Sequence, residues 1–362
     1  MTSYLIIILI PTILYFIDES IVSKNGIFKK IAIAFLIAIS ALRFEFGADY
    51  YTYSDAFIRI QNGIMTDKFE LGYKFLNIII AKLGMQFYFL LFVIAVFNLI
   101  LVYKSIEQNV NKYKWLSIFL YLVYFDLFFY SLSAIRQSIV ISIIMYTFKF
   151  IENKNFKKYI IWMIFGSLFH SSALLMIPVY FLYQYLRKQN FLSTATVMVG
   201  ITILYKLSIK FMALIQPFVG DKLNYYLFTF DNSIVSYSFI YIVVTEFVML
   251  CWIYFSCFLR KKYSKEENDK SYICLLPITL FLCLKNFQYI QYYSLIPRMQ
   301  LYFYCFLILA IPNIVKSFPL KLRPILNNLI FVFFIINFVF RYYEVNQVYW
   351  YCYESFKLIL NK

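Results

Sequence analysis

This chain carries a single histidine, eight glycines and eight prolines in 362 residues, and only 14% of its residues are charged. It has no Gly-rich phosphate loop, no Gly-x-Ser-x-Gly elbow, no His-Glu-x-x-His pair and no Asp-x-Asp pair. Those absences exclude the nucleotide, acyl-serine, zinc and metal-dependent sugar-transfer sites built on these spacings. One histidine is also too few for a His-rich membrane O-acyltransferase motif. The six cysteines show no Cys-x-x-Cys spacing and five lie inside apolar runs, where they read as small core hydrophobes rather than a metal or redox framework. Heptad runs, low-complexity tracts and self-similar repeats are missing too, so coiled-coil and solenoid architectures drop out.

What is present is apolar: 63% of the residues are hydrophobic, 22% are aromatic and the mean hydropathy is +0.73. A bilayer core of about 30 Å takes about 20 apolar residues per helix. The chain therefore reads as an all-α polytopic membrane protein of about twelve transmembrane helices, forming a single domain over residues 1–362. Its formal charge of +16 sits in short loops between apolar runs rather than on an aromatic-interleaved face. That pattern sets topology and argues against a nucleic-acid partner. The first apolar run, residues 4–16, lacks a basic start and a small-residue cleavage pattern, and is expected to be a retained helix.

Lys24, Lys29 and Lys30 place the first loop in the cytoplasm, and the run 31–42 then carries the chain outward. Residues 73–83 have a moderate apolar stripe and are expected as an amphipathic helix at the outer interface. Residues 87–103 return inward, 115–132 go out and 139–151 come back, with the lysine-bearing loops on one side. Residues 159–186 are basic at both ends and hold His170-Ser171-Ser172 near the middle, which predicts a hairpin of two short helices bent at His170. The remaining runs leave outer loops at about 43–86, 212–233 and 285–298, and an outer tail at 341–362.

Polar chemistry gathers on that outer face. Residues 43–57 set Arg43, Glu45, Asp49, Asp55 and a tyrosine cluster directly after an apolar run. Such groups beside hydrocarbon mark a functional site, or else a snorkelling interfacial loop. Arg136 begins an apolar helix with Gln137 beside it, and its five donors join free backbone N–H groups in an arrangement suited to phosphate or pyrophosphate. Arg298 follows Pro297 and repeats the geometry, with Gln300 and Tyr302 close by. Two arginines so placed clamp both phosphates of a diphosphate, unless Arg298 only snorkels. His170 reads either as a proton-exchanging group or as a satisfied structural residue.

Taken in order, Arg43, Gly47, Asp49, Tyr50 and Tyr53, then Glu70-Leu71-Gly72-Tyr73, Arg136-Gln137, His170 to Ala173, and Pro297-Arg298 through Tyr302 form a set. With this set the chain resembles the EpsG-like family of bacterial membrane proteins, within the Wzy-type polysaccharide polymerases, over about residues 4–356. The resemblance implies a fold like the membrane domains of lipid-linked-sugar glycosyltransferases, in the bacterial cytoplasmic (inner) membrane with an extracytoplasmic active face. It implies an enzyme that joins undecaprenyl-diphosphate-linked oligosaccharides, as donor and acceptor, into O-antigen (lipopolysaccharide), capsule or exopolysaccharide. No metal and no cofactor are expected, and a chain-length regulator protein is an expected partner.

Under that resemblance Arg136, Arg298, Arg43 and Gln137 bind diphosphate, and Tyr50, Tyr53, Glu70 and Tyr302 bind sugar. The base that accepts the proton of the attacking hydroxyl is Asp49, Glu45 or His170, with the choice open. This chain departs from the family pattern at Phe44-Glu45-Phe46 and Ala48, before the Asp49-Tyr50 pair. A flippase for the same lipid-linked oligosaccharide would place cationic residues in mid-helix, whereas here they stand at outer helix ends. A polysaccharide ligase uses nearly the same donor chemistry and stays as the other alternative.

Overall fold

The computed structural model describes residues 1–21, 26–64, 69–124, 126–186, 295–353 and 357–358, together with 192, 195–197, 200 and 255. Its helices are α1 (Thr2–Ser20), α2 (Ile27–Leu42), α3 (Tyr50–Gln61), α4 (Leu71–Lys82), α5 (Phe87–Asn109), α6 (Lys114–Val123), α7 (Phe128–Ser133), α8 (Ile135–Glu152), α9 (Phe156–Ser167) and α10 (Ile177–Leu186). After the intervening chain come α11 (Leu295–Tyr304), α12 (Leu307–Ser317) and α13 (Arg323–Tyr353). The short strands β1 (Arg43–Phe44) and β2 (Lys357–Leu358) pair antiparallel. Two compact units result, one of Met1–Tyr180 with Ile311–Lys362 and the other of Phe181–Ala310. The expected outer loop at 212–233, and 285–294 of the loop expected at 285–298, lie outside the described residues.

The helices of the first unit form because long apolar runs must satisfy their backbone groups internally wherever water is absent. Among the described residues four stretches are long and apolar enough to cross a bilayer: Thr2–Ser20, Phe87–Asn109, Met299–Lys316 and Arg323–Tyr343. The protein is thus a multi-pass helical membrane protein. Helix α5 packs between α2 and α8, and α1 packs against α2 and α6. Since lipid is as apolar as leucine, the α5–α8 seam is fastened by polar groups instead. Asn98 donates to Ser138 Oγ at 2.9 Å and accepts from Ser142 Oγ at 3.1 Å, while Ser105 donates to the Met145 carbonyl at 3.0 Å.

At one end of this bundle acids and lysines tie four helices together. Lys29 lies 3.4 Å from both Asp18 and Glu107, and Lys114 lies 2.5 Å from Glu107. The Glu19 carboxylate accepts from the backbone N–H groups of Lys114 at 2.9 Å and Trp115 at 3.2 Å, an anion at the amino terminus of α6.

The opposite end carries α3, α4 and the turn after α9. Helix α4 buries Tyr73, Asn77 and Ile80 along one stripe and leaves Leu71, Phe75, Ile79 and Lys82 exposed, as its amphipathic pattern predicts, and it starts two residues earlier than the stripe suggests. Beyond α9 the chain turns back at His170. Gly166 faces Ala173, the Tyr159 hydroxyl donates to the Met176 carbonyl at 2.6 Å, and Phe156 meets Tyr180 with ring centroids 5.0 Å apart. These pairs are arranged about His170 as in the expected hairpin.

One expectation needs correction. Residues 115–132 are not one helix but two, because α6 ends at Val123 and α7 begins at Phe128. The break holds Asp126, whose carboxylate pairs with Arg341 of α13 at 3.3 Å. A carboxylate inside an apolar helix is costly without such a partner. The expected tail likewise begins as helix, since α13 runs on to Tyr353 before β2 pairs with β1.

Two glycines let these parts close up. At Gly47, with φ of 96°, a Cβ would come within 2.7 Å of Ser133 Cβ, and Asp49 N–H donates to Ser133 Oγ at 3.3 Å, so the loop before α3 rests on the end of α7. At Gly72 a Cβ would meet Leu168 Cβ at 2.8 Å, and Gly72 N–H donates to the Leu168 carbonyl at 2.7 Å. This second contact presses the start of α4 onto the turn that carries His170. Gly72→Ala is expected to lower stability by about 1–3 kcal/mol, the usual range for overpacking. Unfolding of the purified variant in detergent measures it, and an unchanged midpoint would show that the contact is slack.

Candidate functional site

The cluster at this end is built from three segments distant in sequence. Glu70 is the residue before α4, in extended backbone, and its side chain does not cap that helix. The carboxylate instead bridges a guanidinium and an imidazole. One oxygen, Oε2, accepts from Arg136 Nη1, and the other, Oε1, lies 3.2 Å from His170 Nδ1 and accepts from the Ser171 backbone N–H at 3.4 Å. Side-chain exposures of 21% for Arg136, 17% for Glu70 and 19% for His170 leave all three partly open to solvent.

Aromatic rings surround the guanidinium. Its central carbon lies 4.9 Å from the Phe69 ring centroid and 6.0 Å from that of Tyr53, and Arg136 Nε donates to the Tyr53 hydroxyl at 3.4 Å. Tyr53 in turn stacks on Phe69 at 5.7 Å and meets Tyr73 edge-on at 5.6 Å. The planar guanidinium gains both ring-face attraction and a fixed orientation from this arrangement. Its Nη2 makes no hydrogen bond among the described residues.

The electrostatics follow from this geometry. Burial alone would raise the Glu70 pKa, yet the His170 hydrogen bond and the Arg136 charge outweigh it and hold the carboxyl down at about 2. An ionised carboxylate only accepts, so His170 must donate from Nδ1, and in the neutral ring Nε2 then carries the lone pair. A carboxylate that orients a base in this way is the positioning logic of an acid–base–nucleophile triad. The site can therefore accept a proton at one edge and stabilise developing negative charge at the other.

Of the residues singled out in the sequence, Arg136, His170, Glu70 and Tyr53 are brought together. Tyr50 lies one turn before Tyr53 on α3 and meets Phe87 edge-on at 5.6 Å. Arg43 does not join them. It is 3% exposed, and it donates to the backbone carbonyls of Ser40 and, at 2.9 Å, Leu132, so that it fastens the end of α2 to α7. Arg43 also lines a small cavity of ≈ 20 Å³. Gln137 is buried on another face of α8, with its side-chain oxygen 3.5 Å from the Tyr130 hydroxyl. Asp49 is an exposed residue at the start of α3, and Glu45 is half-buried with φ of 53°. Arg298 and Tyr302 belong to α11 in the second unit, where Tyr302 is buried and the Arg298 side chain lies outside the described residues. No cluster of three or more His, Cys, Asp or Glu side chains forms among the described residues. The sequence reading missed the bridging role of Glu70 and the contribution of Phe69.

The profile of the EpsG family matches residues 26–355, which is most of the chain and spans every segment of the cluster. The protein belongs to the EpsG family. Members of the EpsG family are Wzy-type polysaccharide polymerases. Searches of curated proteins and of solved structures gave no match. In this EpsG-family chain the matched region thus unites a cation, a carboxylate and an imidazole at one end of a membrane-embedded bundle.

Glu70 has a lowered pKa, so it stabilises the fold above the ordinary carboxyl value of 4.5, and that contribution fades as pH falls toward about 2. Glu70→Gln is expected to be less stable at pH 7 by about 1–3 kcal/mol, the range for removing one member of a charged hydrogen bond. The gap between variant and parent should shrink on acidification below 4.5. Unfolding midpoints across that range check it, and a pH-independent gap would contradict the assignment.

Proposed function

We propose that this EpsG-family protein joins undecaprenyl-diphosphate-linked oligosaccharide repeat units by metal-independent glycosyl transfer, on the outer side of the bacterial cytoplasmic membrane. The observation that carries this reading is the Glu70 bridge between Arg136 and His170 at one end of the bundle. In this reading a sugar hydroxyl of the acceptor unit attacks the anomeric carbon of the donor chain. The new C–O bond forms as the bond to the diphosphate breaks. His170 Nε2 takes the hydroxyl proton, Glu70 holds the resulting imidazolium, and Arg136 Nη2 and Nη1 neutralise the departing lipid diphosphate. Fixed donors aimed at developing charge are commonly the largest catalytic contribution. Tyr53 and Phe69 offer faces and edges on which sugar rings stack.

The lysine-rich end of the bundle, with Lys29 and Lys114, marks the cytoplasmic side by the positive-inside rule, and the cluster lies at the other end. In this reading the chain crosses the membrane about twelve times, and its candidate cations stand at outer helix ends, which favours a one-sided enzyme. A flippase would need charge accessible from both sides. The family resemblance adds Arg298 as a further diphosphate ligand, and a chain-length regulator as partner.

His170→Ala is expected to lower polymer synthesis by about 10²–10⁴-fold, the typical worth of a general base. Arg136→Ala should leave the protein inserted in the membrane while surface glycan collapses to single repeat units. Gel analysis of surface glycan, beside immunodetection of the protein, reads both variants. Normal chain lengths in either strain would remove that residue from the mechanism. In a deletion strain a one-repeat product indicates a polymerase, whereas accumulation of lipid-linked units on the cytoplasmic side indicates a flippase.

A further inference from the structure

Arg43 is buried, and a guanidinium stays protonated across the pH range of folded proteins, so its positive charge must be met inside the bundle. The structure meets it only in part. The two terminal nitrogens donate to neutral acceptors, Nη1 to the Ser40 carbonyl and Nη2 to the Leu132 carbonyl, and Arg43 forms no ion pair among the described residues. Arg136 and Arg341 differ in this respect, since Glu70 holds the one and Asp126 the other. The third nitrogen of Arg43, Nε, is a buried donor without a partner among the described residues.

Ser40, in the last turn of α2, repeats the anomaly. A helical serine or threonine can return its proton to a carbonyl three or four residues back, as Thr12 does to Ile8 at 2.6 Å and Ser142 to Ile139 at 2.8 Å. The Ser40 hydroxyl is buried and makes no such bond. Ser40 and Arg43 line the same cavity of ≈ 20 Å³, whose other walls come from α5, α6, α7 and the start of α8. Two further polar residues of that lining are already engaged, Asn98 with Ser138 and Ser142, and Ser131 with the Phe128 carbonyl.

A cavity of this size holds about one water-sized particle, which leaves no room for a phosphate or sulfate group. A water could accept from both free donors, but it would leave the guanidinium charge uncompensated, and a lone charge removed from water is costly. A monatomic anion accepts from the same donors and cancels the charge as well, and hydrogen bonds between ionised partners are the strong ones.

We propose that this cavity is a halide site, in which chloride accepts from Arg43 Nε and Ser40 Oγ and serves as the counter-ion of the guanidinium. The inference does not rest on the polymerase reading. Its effect reaches the functional cluster through the backbone. Arg43 fastens the end of α2 to Leu132, and the next residue, Ser133, supports the Gly47 loop from which α3 carries Tyr53 to Arg136. Chloride is thus a structural ligand on which the placement of Tyr53 leans.

Thermal unfolding of the full-length protein in nanodiscs, followed by tryptophan fluorescence, tests it. The protein is exchanged into sodium gluconate and titrated with sodium chloride or sodium bromide at constant ionic strength. Saturating halide is expected to raise the midpoint by about 2–4 °C. Sulfate, too large for the cavity, should leave it where gluconate does. A midpoint indifferent to halide would fit a water in the cavity, and one raised equally by sulfate would mark general screening; either overturns the proposal. Three variants then locate the response. Arg43→Gln should abolish it. Ser40→Ala, which removes one donor with little change of shape, should raise the half-saturating chloride concentration about tenfold. Arg136→Gln, which removes the more exposed guanidinium, should keep the response in full. Survival of the response in Arg43→Gln, an unaltered half-saturation in Ser40→Ala, or loss of the response in Arg136→Gln would each refute the site. If Arg43→Gln does not fold, the other two variants decide.

Discussion

A carboxylate shared by a guanidinium and an imidazole is the constraint on which this site depends. Removing Glu70, Arg136 and His170 from water is unfavourable, and their mutual contacts repay that only with good geometry and few unmet hydrogen bonds. The structure meets the condition by backbone contact rather than by side-chain reach. Gly72 lies against Leu168 closely enough to exclude any side chain, which sets Glu70 beside the His170 turn. The Gly47 loop rests on Ser133, three residues before Arg136, and so brings α3 with Tyr53 to the guanidinium. Rigid placement of this kind is what lets donors act on a transition state without reorganising.

The two ends of the first unit use similar residue types for different purposes. Around Glu107 the lysines and acids alternate and largely neutralise one another, and the Glu19 carboxylate is spent on the backbone of α6. Around Arg136 the neighbours are aromatic, one guanidinium nitrogen is left without a partner among the described residues, and the imidazole keeps one ring nitrogen uncommitted by the Glu70 bond. Balanced networks hold helices in register. An unbalanced one retains capacity for a ligand, and the unbalanced one stands at the end of the unit away from the lysines.

Much of the fold was legible because hydropathy periods report on solvent. The helices α1, α2, α5 and α8, the amphipathic stripe of α4 and the bend at His170 all follow from runs and interruptions in the chain. The split of 115–132 into α6 and α7 did not, because the partner of Asp126 is Arg341, 215 residues away, and no local pattern announces it. The site was legible by residue type and only partly by role. Arg136 and His170 stood out as rare cations at helix ends. Gln137 was grouped with its neighbour, yet adjacent residues on a helix point to different faces, and it is buried toward Tyr130. Arg43 stood out for the same reason as Arg136, but it serves the backbone carbonyls of Ser40 and Leu132. Glu70 suggested sugar contact in the sequence, since its partners Arg136 and His170 lie 66 and 100 residues further on.

The shared carboxylate also couples the two halves of the proposed reaction. While the imidazole is neutral, Glu70 directs most of its charge to Arg136, which tempers the attraction of that guanidinium for a bound anion. Once His170 takes a proton, the carboxylate has a second full positive charge at 3.2 Å, and its hold on Arg136 must weaken. The guanidinium is then freer to follow charge onto the departing diphosphate. Deprotonation of the attacking hydroxyl and stabilisation of the leaving group therefore reinforce one another through a single side chain. A site with the same cation and base but no carboxylate between them would lose that coupling even if both groups stayed in place.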